Sequence, residues 1–148
     1  MVAALPVLVL TAGVTVAPPA AADRAEEVEH AVAVARTAAP CSPLQYSPAV
    51  EHAAEIVNQS TLSYLNHTAE NIPLDDQHPT ALIKDLGVNT TNVMSLQGAG
   101  PNEADAIKGV LLEGYKAIPD CSYTQVASSR LYAQQSGQVL IVVILAGS

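Results

Sequence analysis

The chain has 148 residues, about one ordinary domain, and 49% of them are hydrophobic while only 14% are charged. This composition excludes a disordered chain, which would have few apolar residues and many charges. Six Lys and Arg stand against 14 Asp and Glu, and the net charge of -8 would repel a phosphate backbone. We therefore expect no nucleic acid among its partners.

The first 22 residues are typical of an export signal. Residues 2–16 are uncharged and mostly apolar, and the small residues Ala20 and Ala22 suit the sites that a signal peptidase reads. No Lys or Arg precedes this stretch, which departs from the usual signal, and it is shorter than the roughly 20 residues of a membrane-spanning helix. We predict cleavage after Ala22, a mature domain of residues 23–148 without a transmembrane span, and a secreted or cell-envelope location.

The chain contains two cysteines, Cys41 and Cys121. A single pair in an exported chain predicts one disulfide, and closing a loop of about 80 residues would add about 4 kcal/mol of stability on the chain-entropy model. Neither cysteine has another Cys or a His at the spacing of a metal site, and the sequence has no C-x-x-C pair. Zinc binding and redox exchange are therefore not predicted.

Apolar residues at helical spacing, with start and stop signals, predict four helices. They lie within residues 23–39, 47–65, 79–87 and 102–118. The second has the clearest start, because Ser47 is a preferred N-cap residue and Pro48 fits the first helical position. The fourth is expected to bury one stripe of its surface, formed by Ile107, Leu111, Tyr115 and Ile118.

The last part of the chain predicts β structure. Residues 122–134 form one strand, Ser136 and Gly137 form a turn, and residues 139–145 are an unbroken apolar run typical of a central strand covered on both faces. A further strand is expected over residues 92–96, before Gly98 and Gly100 break the chain. Helices first and a hairpin last predict an α+β domain with helices packed on a small antiparallel sheet.

Histidine and glutamate stand three residues apart twice, as His52 with Glu55 and His67 with Glu70. Such a pair shares a helix face and could share a metal, but the sequence has no H-E-x-x-H motif beside them. We interpret them as solvated helix faces and predict neither a metal nor a cofactor. Three sequons could carry glycans if the source glycosylates exported chains: Asn58, Asn66 and Asn89.

Several segments share an order with a known family. Residues 36–44 and the alanine-rich residues 47–54 join an arginine-bearing helix, a proline–leucine turn and a second helix, and residues 123–126 read Tyr-Thr-Gln-Val. This order resembles the CAP superfamily, which comprises cysteine-rich secretory, antigen 5 and pathogenesis-related 1 proteins. The resemblance covers residues 28–147, and in compactness and cysteine placement the chain is similar to the short exported members of actinobacteria.

The resemblance implies a three-layer α-β-α sandwich and a candidate cleft. His67 stands where the family has its first cleft histidine, and Glu113 where it has a helix glutamate. Thr91 replaces the other acid of the family and Ser122 its signature histidine, while Glu70 lies too close to His67 to take the place of that acid. Because two of four ligands do not form a metal site, the resemblance implies a cleft without a metal or a catalytic set.

Three functions remain open. The first expectation is an exported, non-catalytic module that binds a lipid or other apolar ligand, a wall component or a protein partner. The alternative is a hydrolase of the family's type, metal-dependent or with His67 as base, Glu113 as its orienting acid, and Ser122 as nucleophile or Glu70 as acid. The third is a structural secreted or envelope protein. A base within hydrogen-bonding reach of its partner would favour the hydrolase.

Overall fold

The computed structural model describes residues 21–68 and 77–148. The predicted signal peptide, apart from its last two residues, and Glu70 lie outside these ranges. The described part contains four helices and four strands: α1 (Ala21–Arg36), β1 (Gln45–Tyr46), α2 (Pro48–Leu65), α3 (Thr80–Asp85), β2 (Asn92–Gly100), α4 (Glu103–Glu113), β3 (Tyr123–Ala133) and β4 (Gln138–Gly147). Among these helices, none is both long and apolar enough to cross a membrane.

The four strands form one open sheet in the order β1-β3-β4-β2. Strand β4 pairs antiparallel with both β2 and β3, and the two-residue β1 adds a parallel pairing with β3. The predicted hairpin is confirmed, with Gly137 in the left-handed conformation at its turn. The expected α+β sandwich is also confirmed, and β1 makes its sheet mixed rather than purely antiparallel.

Helices cover both faces of the sheet. Val28 and Val32 of α1 pack with Val110 of α4 against one face, where alternate residues of β4 such as Ile141 and Val143 are buried. Helices α2 and α3 pack on the other face, against the intervening residues of β4. Because β4 has side chains buried on both faces, it is the central strand that its unbroken apolar run predicts.

Helix α2 follows its sequence signals closely. The Ser47 side chain accepts a hydrogen bond from the amide of Val50, and Pro48 occupies the first turn. The helix ends at Leu65 as predicted, and its buried face includes Ala53, Ala54 and Val57. Helix α2 therefore provides a fixed wall over one face of the sheet.

Helix α4 differs from its prediction. It ends at Glu113, and its most buried residues are Ala106 and Val110, whereas Tyr115 is 67% exposed. Small residues allow this face of α4 to lie close to β2. A Cβ on Gly98 of β2 would overlap the carbonyl oxygen of Ala106, so the helix and the strand are in backbone contact. The prediction that Gly98 breaks the strand is wrong, because this glycine is needed inside β2 to let α4 approach.

Candidate functional site

His67 lies directly after α2, with an exposed side chain and a positive φ of 55°. The helix caps itself just before it, since the amide of Asn66 donates to the carbonyl oxygen of Leu62 at 3.0 Å. No hydrogen bond or ion pair joins His67 to Glu113, both of which lie in the described part of the chain. The two residues that the hydrolase hypothesis pairs are therefore not in direct contact.

Glu113, the last residue of α4, binds the backbone of β2. Its Oε2 accepts a hydrogen bond from the amide of Gln97 at 2.5 Å. The same outer edge of β2 has two further contacts: the amide of Ser95 donates to the carbonyl oxygen of Gln77 at 2.8 Å, and Nδ1 of His78 lies 2.8 Å from the carbonyl oxygen of Val93. Since that carbonyl can only accept, Nδ1 of His78 carries the proton. Glu113 thus completes a covered sheet edge.

Thr91 and Ser122 both lie at the end of β4 that contains Gly147, but on opposite sides of this strand. The amide of Thr91 donates to the carbonyl oxygen of Gly147 at 3.1 Å, and a Cβ on Gly147 would overlap the carbonyl group of Ser122. Thr91 is six residues from Gln97 along extended backbone, which corresponds to about 20 Å. The structure therefore places Thr91 and Ser122 on opposite sides of β4, both at the end of the sheet that is far from the contact between Glu113 and Gln97.

The acidic side chain that contacts Ser122 is the carboxyl of Asp120. The amide of Ser122 donates to Oδ1 of Asp120 at 2.9 Å. This hydrogen bond and one from the Ser122 side chain lower the pKa of the Asp120 carboxyl, and the positive charge of Arg36 contributes further. Burial raises the pKa of the adjacent Tyr123 phenol. Asp120 is consequently an ionised acceptor that holds a turn. Within residues 21–68 and 77–148, no group of three His, Cys, Asp or Glu could hold a metal ion.

The disulfide between Cys41 and Cys121 is confirmed and joins residues 80 positions apart. Beside it lies Arg36, only 4% exposed, whose guanidinium donates to four backbone carbonyl oxygens. The acceptors, at 2.7–3.1 Å, are those of Ser42, Ile118, Asp120 and Tyr123. Arg36 and the disulfide line a cavity of about 390 Å³. Together they fix the end of α1 to the segment between α4 and β3.

A second pocket, of about 190 Å³, lies between α2 and the sheet. Its lining includes Asn58 and Thr61 of α2, residues 97–99 of β2 and residues 140–142 of β4. Asn58 is fully buried, so the folded chain cannot present this sequon residue to a glycan, and its Oδ1 has no hydrogen-bond partner. The sequence marks Asn58 only as a sequon residue and not as a buried one, although it directly follows Val57 on the buried face of α2.

Comparison with known proteins adds evidence on the fold. No family model matches the chain, and no curated protein matches it by sequence. The solved structures that are similar to this chain include two surface or secretory proteins. An outer surface protein of Borrelia burgdorferi has a TM-score of 0.64 at 16% identity, over 85% of this chain and 92% of that one. A cysteine-rich secretory protein of Staphylococcus aureus has a TM-score of 0.62 at 8% identity, over 86% of this chain. The fold is CAP-like.

This CAP-like fold accounts for the order of helices and strands but not for a chemistry. The chain spans only 39% of the staphylococcal protein, so the two differ greatly in extent. At identities of 8% and 16%, structural similarity shows shared architecture alone. The CAP-like fold therefore agrees with the family resemblance seen in the sequence, while the function has to be argued from this chain's own residues.

Proposed function

We propose that this chain is an exported, non-catalytic binding module of CAP-like fold, of the short actinobacterial type, whose ligand is an apolar small molecule, a wall component or a protein. Its disulfide supports a location outside the reducing cytosol. The similarity of its fold to an outer surface protein and to a secretory protein supports the same location. Removal of residues 1–22 as a signal peptide belongs to this proposal.

The proposal that the module is non-catalytic is supported mainly by the hydrogen bond of Glu113. A residue that orients a catalytic base must lie within hydrogen-bonding reach of it. The Glu113 carboxylate instead accepts from the amide of Gln97, about 20 Å along the strand from Thr91, and Ser122 lies at that same far end, on the other side of β4. His67 makes no hydrogen bond to Glu113. This arrangement gives Glu113 a structural role and leaves no acid–base pair among these four residues.

The test starts from the full chain expressed with its own leader, and mass spectrometry of the protein recovered from the medium should show Asp23 as the first residue. Fluorescently labelled protein is then titrated with phosphatidylcholine vesicles and, separately, with solubilised peptidoglycan fragments, using unlabelled protein as competitor. Saturable, competed binding to either is the expected result. The absence of saturable binding to both probes contradicts a lipid or a wall component as the ligand.

A parallel assay addresses the hydrolase alternative. We expect no turnover of a p-nitrophenyl ester or of a labelled peptide above the uncatalysed rate. Turnover that disappears in both His67→Ala and Glu113→Gln would overturn the non-catalytic proposal. Glu113→Gln is a suitable variant because its amide oxygen can still accept from Gln97, so a loss of turnover could not be attributed to a lost strand contact.

A further inference from the structure

Strand β3 has an outer edge that its neighbour covers only in part. Strand β1 pairs with β3 at Gln125 and Val126 and then ends, while β3 continues to Ala133. In the sheet order β1-β3-β4-β2, no other strand of the described residues lies on that side. Residues 127–133 therefore run along an edge to which a further strand could be added.

One hydrogen bond shows which backbone groups face this edge. The carbonyl oxygen of Val126 accepts from the amide of Ser47 at 3.3 Å, so it points away from β4. Successive residues of a strand direct their backbone groups to opposite edges. Ser128, Arg130 and Tyr132 therefore point the same way as Val126, and the pairing of β3 with β4 is regular from Gln125 onwards, so nothing interrupts this alternation.

The available part of the edge begins after Ser128. That residue is only 3% exposed and lies under α1, where its hydroxyl donates to Oε1 of Glu29 at 3.2 Å. Arg130 is partly exposed and Tyr132 is 52% exposed. Their outward backbone groups make no hydrogen bond with any residue in 21–68 or 77–148. We call these two amides and two carbonyl oxygens the β3 edge.

Carboxylates from two helices lie beside the point where β1 ends. The hydroxyl of Tyr46 in β1 donates to Oε2 of Glu51 in α2. This hydrogen bond raises the pKa of the Tyr46 phenol, and the charges of Glu29 and Glu55 raise it further. The charge of Glu26 in turn acts on Glu29. Two acids of α1 and two of α2 thus gather on either face of the sheet, next to its open edge.

These charges decide which kind of strand fits. Arg130, the basic residue of the edge, is paired with Glu103, with 3.2 Å between Nε and Oε2. None of the four acids beside the edge has an ion pair with a residue of the described ranges. A second copy of this chain that added its own β3 would bring two such clusters together, and like charges repel. A segment with Lys or Arg would instead be attracted.

We propose that the β3 edge binds an extended segment of a partner protein that contains Lys or Arg, by addition of a β-strand. The inference rests on the proposed binding function and gives the class of its protein partner. The backbone of the segment pairs with Arg130 and Tyr132. Because successive side chains of a strand point to opposite faces, two adjacent basic residues reach the acids of α1 on one face and those of α2 on the other.

The probe is the peptide acetyl-Lys-Lys-Val-Thr-Val-Lys-Lys-amide, which has basic residues at both ends and so allows either strand direction. It is titrated into the ¹⁵N-labelled full chain while the amide resonances are followed. We expect saturable shifts for residues 128–133. At saturation, hydrogen exchange of the amides of Arg130 and Tyr132 should slow by about tenfold or more, because each then donates to the added strand.

Two control peptides separate strand addition from charge attraction. Acetyl-Lys-Lys-Pro-Pro-Pro-Lys-Lys-amide keeps the charge, but its three central residues have no N–H, so it should bind about tenfold more weakly. Acetyl-Glu-Glu-Val-Thr-Val-Glu-Glu-amide keeps the central strand and reverses the charge. It should show no saturable binding, since it meets the acids of both helices.

A charge-matched pair of variants tests the location. Glu55→Lys reverses one exposed charge beside the β3 edge, whereas Asp85→Lys makes the same change on the exposed side of α3, which contacts α2 and β2. Affinity for the basic peptide should fall by about fivefold in Glu55→Lys and stay within about twofold in Asp85→Lys. Circular dichroism of both variants verifies that they are folded.

Three results would overturn the inference: no saturable binding of the basic peptide, equal affinity for the proline peptide, or unchanged affinity in Glu55→Lys. Each can be separated from a failure of the proposed function. If the basic peptide fails while vesicles or peptidoglycan fragments bind saturably, the binding function stands and only the β3 edge is wrong. If the peptide binds as expected while vesicles and fragments do not, the inference and the binding function both stand, with a protein as the partner.

Discussion

Replacing Arg36 by methionine should strongly destabilise the fold while leaving the disulfide intact. The side chain is 4% exposed, and its guanidinium donates to carbonyl oxygens on three different segments. Methionine fills a similar volume but has no donor. The variant therefore tests whether these backbone acceptors depend on one buried cation, separately from the packing around it.

The magnitude follows from the four acceptors. The hydrogen bonds to the carbonyl oxygens of Ile118 and Tyr123 are buried, and those to Ser42 and Asp120 are partly buried. A buried acceptor left unsatisfied costs about 1–3 kcal/mol, and a partly hydrated one costs less. The sum is about 4 kcal/mol, a large share of the roughly 5–15 kcal/mol that stabilises a domain.

Guanidinium chloride unfolding under non-reducing conditions measures this loss. The chain has five tyrosines and no tryptophan, so tyrosine fluorescence and circular dichroism are suitable signals. The charge-matched control is Lys108→Met, on the exposed side of α4, for which we expect a change within about 0.5 kcal/mol. A loss below about 1 kcal/mol in Arg36→Met, comparable to the control, would refute the argument that these carbonyls rely on Arg36.

Two further predictions concern packing and pH. Gly98→Ala should lower the free energy of unfolding by about 2 kcal/mol, because its methyl group would overlap the carbonyl of Ala106. Gly87→Ala, whose methyl would meet no atom within 4 Å but whose φ is +85°, should lose only about 1 kcal/mol in the same guanidinium chloride titration. Burial raises the pKa of Glu29, so its charged form opposes folding at neutral pH. Glu29→Gln keeps an acceptor for the hydroxyl of Ser128 and should therefore have a higher free energy of unfolding than the natural chain at pH 7. This difference should vanish below the ordinary carboxyl pKa of about 4.3. A difference that stays constant between pH 7 and pH 3.5 would contradict the prediction.

The sequence predicted elements well where local chemistry determines them. Ser47 and Pro48 define the start of α2 without reference to the rest of the molecule, and the unbroken apolar run of β4 already indicates burial on both faces. Gly98 shows the limit of such reasoning. A glycine read locally indicates a break, whereas here it allows α4 to touch β2, and that approach depends on residues that follow it by eight to twelve positions.

The candidate site was harder to predict for the same reason. Family resemblance points to Glu113 by its place on a helix, but its actual partner is a backbone amide on the neighbouring strand, which no residue pattern encodes. Asn58 carries a sequon, and this signal suggests a surface residue. Only the docking of α2 on the sheet, with Ser129 and Leu140 as acceptors, turns it into a buried group with one free oxygen.

The covered edge of β2 has a consequence for how this protein meets other molecules of its own kind. An outermost strand with free amides is a template on which a second molecule can add its own strand and start a fibril. On β2 the amides of Ser95 and Gln97 already donate to Gln77 and to the Glu113 carboxylate. An incoming chain would have to displace both acceptors and face a negative charge, so this side of the molecule resists intermolecular β-sheet growth.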